Sequence, residues 1–151
     1  MSMDSPVGIE KEAGSTVARV ALGTRISASS AREMVCVLAG EDITKGMFLA
    51  VDEDFKAMKL TKALADDKHM IACADELALA SGEYGYVSRS GVFNGNVVAA
   101  ATADSAFYTS ATAGTIDDDP TSQTLIYGIV NSAAGATGAT TPCIAACLMH
   151  A

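Results

Sequence analysis

Residues 84–97 read YGYVSRSGVFNGNV, a segment in which β-forming residues alternate with small and polar ones. Residues 84–89 predict a strand, because period-two alternation is typical of a half-buried strand. Asn94-Gly95 then stands between apolar residues, and this pair favours the type I′ turn of a β-hairpin. The segment therefore predicts two strands joined at Asn94-Gly95, the second over residues 96–100.

The same pattern continues on both sides of this segment. Short apolar stretches between Gly, Asp and Asn predict seven further strands, at residues 34–38, 47–51, 57–60, 70–74, 106–109, 124–130 and 142–148. Nine short strands with regular turns indicate a mainly β fold, either a compact antiparallel β-barrel or a β-sandwich. Helical turns compete only at residues 61–64 and 75–80, where Ala and Leu favour them.

A weak internal similarity relates residues 45–51 to residues 104–110. An acid-containing turn and further strand patterns follow each copy, which indicates two related β units. Coincidence between generic strand and turn patterns is the alternative interpretation.

Composition limits the class of protein. The chain has 151 residues, half of them apolar, with 28 Ala and no Trp, which suits one domain with a core of small side chains. Its apolar runs, such as residues 97–101 and 143–149, are far shorter than the roughly 20 residues of a membrane span, and the N-terminus lacks a signal-peptide pattern. We therefore expect a soluble protein with no membrane partner. The net charge of −8 argues against nucleic acid as a partner.

The charges divide the chain into two parts. Residues 1–32 carry three acids and four bases, a balance of +1, whereas residues 33–151 carry fifteen acids and six bases, a balance of −9. The first part is polar and predicts an extended N-terminal arm ahead of a β-rich domain at residues 33–151. Such an arm becomes ordered by lying on another surface; a flexible tail is the alternative.

Catalytic chemistry has few candidates in this sequence. The only histidines are His69, in a predicted loop, and His150, beside the C-terminus, and there is no nucleophile elbow, phosphate loop or zinc-protease motif. The acidic clusters at residues 52–54 and 117–119 lack the spacing of a calcium loop and predict solvated turns. We therefore expect no catalytic site, no metal site and no cofactor.

The four cysteines, at positions 36, 73, 143 and 147, match neither a zinc nor a redox pattern. Each lies in an apolar run, where a thiol behaves as a small hydrophobe. The sequence predicts buried free thiols.

Four stretches, residues 39–51, 82–92, 106–114 and 126–130, resemble the capsid decoration proteins of tailed bacteriophages, also called cement or head-stabilisation proteins. The resemblance spans roughly residues 34–148. It implies a structural protein of the virion, made in the host cytoplasm, that sits on the outer capsid surface as a homotrimer and binds the major capsid protein. Its implied role is to stabilise the expanded capsid lattice.

Within this interpretation the arm contacts the major capsid protein, either by adding a strand or by lying in a groove. The candidate contact residues are Val17, Arg19, Val20, Leu22, Arg25 and Ile26. Uncharged stretches at residues 97–116 and 131–146 are candidates for contacts between copies. The alternative function is a surface-binding β-barrel, a glycan or receptor adhesin on a virion, with stacking by Tyr84, Tyr86, Phe93 and Tyr108.

Overall fold

A computed structural model describes residues 14–28, 32–98, 101–121, 123–131, 140–145 and 151. These residues form eleven strands and one short helix. The elements are β1 (Arg25–Ser27), β2 (Glu33–Ala39), β3 (Phe48–Val51), β4 (Lys56–Lys59), α1 (Lys62–Asp66), β5 (Met70–Cys73), β6 (Tyr84–Asn96), β7 (Phe107–Thr109), β8 (Ile116–Asp117), β9 (Leu125–Ile126), β10 (Val130–Asn131) and β11 (Thr140–Ala145).

Five of these strands close into a barrel, in the order β2, β4, β3, β5 and β6, with β6 pairing back onto β2. All pairs in the barrel are antiparallel except β2 with β4, which are parallel. Strands β11 and β10 extend the sheet from β6, and β1 extends it from β2. A second sheet contains β8, β7 and β9. The prediction of a mainly β fold is confirmed, and of the two architectures considered the barrel is the one that forms.

Alternation along the strands separates the inside of the barrel from its outside. One buried cluster takes alternate residues of β2 and β3, such as Val35, Val37 and Leu49, together with Ala72 of β5 and Val87 of β6. Successive side chains on a strand point to opposite faces, so these residues share the barrel interior. A five-stranded barrel encloses little space, and the many alanines of this sequence suit so narrow a core.

Apolar residues also cover the outer face of the barrel, because two further clusters are packed there. Phe48, Ile71 and Cys73 belong to one that includes Phe107 and Ile126 of the three-stranded sheet. The other joins the outward residues of β2 and β6 to the N-terminal segment. Both faces of the central strands are therefore buried, which explains the nearly continuous apolar runs in the sequence.

The predicted turn at Asn94-Gly95 is wrong, because β6 runs through it without interruption. Asn94 pairs with Pro142 and Gly95 with Thr141 of β11. A Cβ placed at Gly95 would lie 2.5 Å from two ring atoms of Phe48, which is fully buried. The glycine is needed for this close approach of a ring, and not for the left-handed backbone of a hairpin turn.

Other elements differ from the prediction in their boundaries. Residue 96 ends β6, Val97 makes only an isolated bridge to Ile116, and residues 99–100 lie outside the described chain. The predicted strand at 124–130 divides into β9 and β10.

The helical alternatives are also settled by the structure. A helix forms near the first predicted position, as α1, where the Thr61 side chain accepts a hydrogen bond from the backbone of Leu64. Residues 75–80 are not helical. There Leu79 exchanges backbone hydrogen bonds with Ile43 instead, so tertiary pairing outweighs the helical preference of Ala and Leu.

The two stretches related by sequence similarity do not occupy equivalent places. Residues 48–51 form β3 of the barrel, whereas residues 107–109 form the centre of the separate three-stranded sheet. The similarity thus reflects a shared strand pattern without a repeated arrangement.

Candidate interaction surface

The N-terminal segment at residues 14–28 lies along the outside of the barrel. Ser15 exchanges backbone hydrogen bonds with Tyr84, at N···O distances of 3.1 and 2.7 Å. Farther along, the N–H of Gly23 donates to the carbonyl of Cys36, and the N–H of Cys36 donates to the carbonyl of Thr24, both at 2.9 Å. The backbone of this segment is therefore attached to β6 near its start and to β2 near its end.

Apolar side chains hold the inner face of the segment. Val20, Leu22, Ile26 and Ala28 are partly buried against the third cluster, which consists of Met34, Cys36 and Tyr86. These three residues face away from the barrel interior and are at most 4% exposed. The segment thus covers apolar surface that would otherwise lie in water, and this burial stabilises its position.

The outer face of the segment carries the other predicted contact residues. Val17 is 69% exposed, the highest value among the large exposed hydrophobic residues of the described chain. Arg19 and Arg25 are also exposed. The structure therefore divides the six candidate residues: Val17, Arg19 and Arg25 face outward, whereas Val20, Leu22 and Ile26 pack against the protein's own body.

One edge of β1 carries backbone groups available for further pairing. Arg25 lies opposite Val35 and Ser27 opposite Glu33, and no described strand pairs with the far side of β1. The hydrogen bonds of Thr24 with Cys36 of β2 and of Ala28 with Arg32, just before β2, fix which backbone groups of β1 face β2. The N–H and C=O of Ile26 accordingly point to β2, and those of Arg25 and Ser27 point to the open edge.

Beside this edge two arginines share one carboxylate, which we name the Arg25–Glu33–Arg89 cluster. Oε1 of Glu33 lies 3.7 Å from Nε of Arg25 and 3.4 Å from Nη1 of Arg89. The exposed fraction of the side chain is 57% for Arg25, 34% for Glu33 and 9% for Arg89. Arg89 therefore forms the buried floor of the cluster, and Arg25 forms its exposed rim. Burial and the charge of Arg25 lower the pKa of Arg89, against the attraction of Glu33.

A β-bulge brings Arg89 into this position. Glu33 pairs with Ser90 and Met34 with Ser88, so Arg89 is the additional residue of β6 opposite β2. Bulges of this kind change the direction of a side chain and increase the local twist. Sequence alternation alone gives no signal for the cluster, because its members come from three strands and depend on this irregular register.

A second charged network surrounds Arg32, just before β2, and no pattern in the sequence predicts it. Arg32 donates to Asp75 at 2.6 Å and also forms an ion pair with Glu76. The Ser88 hydroxyl donates to the other oxygen of Asp75 at 2.7 Å. The side chains of Arg32 and Asp75 are 8% and 3% exposed, so this is a buried ion pair with its hydrogen bonds largely satisfied.

Burial raises the pKa of Asp75, while the Ser88 hydroxyl and Arg32 act in the opposite direction. For Arg32, burial acts to lower the pKa, but Glu76 and Asp75 outweigh it and the pKa is raised. The network connects Arg32, the residue before β2, with the loop after β5. Its arrangement is that of a structural support and exposes no reactive group.

The remaining candidate residues occupy structural positions. Cys36 and Cys73 are buried free thiols, as predicted; Cys143 is also buried, while Cys147 lies outside the described residues. Burial raises the pKa of Cys143 to about 11, so this thiol is protonated at neutral pH. His69 is partly buried in the loop before β5, and His150 lies outside the described chain.

The acidic turns use their carboxylates for local hydrogen bonds. Asp52 accepts from the backbone of Asp54 and Lys56, and Asp118 accepts from both the backbone and the hydroxyl of Thr102. Hydrogen bonds from Thr102 lower the pKa of Asp118. Within the described residues no group of three His, Cys, Asp or Glu side chains is arranged to hold a metal ion.

The aromatic residues considered for glycan stacking do not form an exposed platform. Tyr86 and Phe93 are buried, and Phe93 packs edge-on against Phe48 with ring centroids 6.2 Å apart. Tyr84 and Tyr108 are partly buried. These positions are those of core residues, and only Tyr127, at 52%, is prominently exposed among the aromatic residues of the described chain.

Comparison with family models, with curated proteins and with solved structures finds no match to this chain. Among the helices of the described residues, none has the length and apolar character to cross a membrane.

Proposed function

We propose that this chain is a capsid decoration protein, which binds the outside of a tailed-bacteriophage head and stabilises the expanded lattice. One observation carries the proposal: an N-terminal segment packed on the barrel presents Val17, Arg19 and Arg25 outward, and Arg25 lies on β1, whose far edge no described strand pairs with. The resemblance of residues 39–51 and 82–92 to decoration proteins supplies the identity of the partner, the major capsid protein.

The mechanism follows from the attachment of the segment to the body. Val20, Leu22 and Ile26 already hold the segment in place, so binding orders little additional chain. A partner strand at the open edge would form up to four hydrogen bonds with Arg25 and Ser27, each with a net contribution of about 0.5–1.5 kcal/mol. One such contact is weak, but binding that is selective for the expanded lattice stabilises it by mass action.

Association of several copies is part of the proposal, because linked contacts on a lattice reinforce one another. The supporting surface is an apolar row across three strands, in which Ile144 of β11 lies opposite both Val92 of β6 and Val130 of β10. Val92 is 45% and Val130 is 40% exposed. We propose that this row contributes to a homotrimer. In sedimentation equilibrium, Val92→Glu should shift the protein toward monomer. A monomeric wild-type protein would refute the trimer.

The function is tested on heads of the phage or prophage whose genome encodes this chain. Deletion of residues 1–26 is a poor test, since it would also uncover Met34, Cys36 and Tyr86. The better variants are Val17→Asp and Arg19→Glu, with Lys45→Glu as the matched control on an exposed turn.

We expect each arm variant to lower the affinity for expanded heads by about tenfold, a loss of about 1.4 kcal/mol. The control should bind like the wild-type protein, and circular dichroism should show all three variants folded. Equal occupancy of heads by the arm variants and the control would contradict the proposal.

A further inference from the structure

We propose that the Arg25–Glu33–Arg89 cluster binds a carboxylate side chain from a partner strand that pairs with the open edge of β1. The inference rests on the proposed function only in taking that strand to come from the major capsid protein. It assigns the chemical feature by which the partner is recognised, an Asp or Glu in an extended segment.

The charges within the cluster are unbalanced. Two guanidinium groups share a single oxygen of Glu33, at 3.4 and 3.7 Å. Both distances exceed the roughly 2.7–2.9 Å of a strong charge-assisted hydrogen bond. The cluster therefore carries two positive charges against one negative charge, and the carboxylate it contains satisfies neither arginine well.

The floor of the cluster holds a hydrogen-bond donor without a partner among the described residues. Nε of Arg89 is buried and has no hydrogen-bond partner among the described residues. A buried polar group in this condition is rare in proteins and needs an explanation. A second carboxylate at the cluster would let the Arg89 guanidinium turn toward it, and Arg25 at the rim is exposed enough to close over the new anion.

The register of β1 places a partner residue beside Arg25. Because the N–H and C=O of Arg25 point to the open side, an added antiparallel strand would place one residue directly opposite Arg25. Residues directly opposite each other on paired strands project their side chains on the same face of the sheet. An acidic residue there would lie beside the Arg25 side chain and within reach of the cluster, which distinguishes a strand from a free anion.

The test uses the full chain labelled with nitrogen-15 and two blocked peptides, Thr-Val-Glu-Val-Thr and Thr-Val-Gln-Val-Thr, with sodium acetate as the free anion. NMR follows the Arg89 Nε–Hε signal and the backbone amides of Arg25 and Ser27. We expect the Glu peptide to shift all three signals saturably and to bind about fivefold more tightly than the Gln peptide. Acetate should shift only the Arg89 signal.

Variants separate this site from general charge attraction. Arg25→Gln, at an exposed position, should abolish the preference for the Glu peptide, whereas Lys45→Gln should retain it. Glu33→Gln should strengthen binding of the Glu peptide, because it removes the competing internal carboxylate. Equal binding of the two peptides to the wild-type protein, or a preference that survives Arg25→Gln, would overturn the proposal.

This experiment is independent of phage heads. If the Glu preference is found and Arg25→Gln binds expanded heads like the wild-type protein, the carboxylate site is supported and its use on the capsid is refuted. If heads bind the wild-type protein and the peptides show no preference, the decoration function survives and the carboxylate site does not.

Discussion

Substitution of Arg32 by Met should destabilise the protein strongly at neutral pH. The change removes a guanidinium that is 8% exposed and leaves Asp75, at 3% exposure, as a buried charge held only by Ser88. Breaking a buried pair by removal of one partner costs about 3–5 kcal/mol. Glu76 is 23% exposed and can turn to water, so we expect about 3 kcal/mol, at the lower end of that range.

The loss should depend on pH in a defined direction. Burial already raises the pKa of Asp75, and removal of Arg32 takes away an attraction that opposes this rise. A carboxyl group with a higher pKa in the folded than in the unfolded state binds more protons when folded, so the protein loses stability as pH increases from the unfolded toward the folded pKa. The deficit of Arg32→Met should therefore be larger at about pH 7.5 than at about pH 4.5.

Urea denaturation followed by circular dichroism measures both effects. The control is Arg32→Met combined with Asp75→Asn, which removes the uncompensated charge and should recover part of the stability at neutral pH. A loss below about 1 kcal/mol, within the range of exposed ion pairs, would refute a buried network. So would a deficit that is the same at both pH values.

Three further predictions concern the packing. Leu22→Ala should lower the free energy of unfolding by about 1–2 kcal/mol, because the side chain is partly buried. Val17→Ala should change that free energy by less than about 0.5 kcal/mol, because Val17 is exposed. Equal effects of the two substitutions in urea denaturation would contradict a segment with one buried and one exposed face. Gly95→Ala should destabilise the folded protein by about 1–3 kcal/mol, since a Cβ would lie 2.5 Å from the buried Phe48 ring. An unchanged melting temperature in thermal unfolding would refute this packing. Cys143 should resist alkylation by iodoacetamide at about pH 8 until the protein unfolds, which peptide mapping by mass spectrometry measures. Rapid labelling of the native protein would contradict the burial of Cys143.

Much of the strand content is predictable from the sequence, because alternation is a local property. The patterns at residues 34–38, 47–51 and 70–74 correspond to β2, β3 and β5. Pairing is not local, and the parallel contact of β2 with β4 or the return of β6 to β2 leaves no trace in either strand alone.

The Asn94-Gly95 pair shows how a local signal is overridden. Its composition is that of a hairpin turn, but the space at Gly95 is taken by a ring that lies far away in the chain. A glycine required by packing and a glycine required by a turn look the same in sequence.

The candidate interaction surface is predictable only in part. The charge division of the sequence indicates the N-terminal segment, and three of the six candidate contact residues, Val17, Arg19 and Arg25, are exposed; their contact with a partner stays a prediction. The inward packing of Leu22 is not predictable from the sequence, because an apolar residue in a polar segment is equally compatible with a foreign partner and with the protein's own body. The Arg25–Glu33–Arg89 cluster depends on a bulge, for which a single sequence gives no rule.

The most direct measurement compares binding of the wild-type protein to expanded and unexpanded heads of the cognate phage, by quantitative sedimentation with the heads. The proposed function predicts saturable binding to expanded heads, little or none to unexpanded heads, and a higher temperature of head disruption when the protein is bound. Equal binding to both forms would contradict selective stabilisation of the expanded lattice, and absence of binding to either would contradict the decoration function itself.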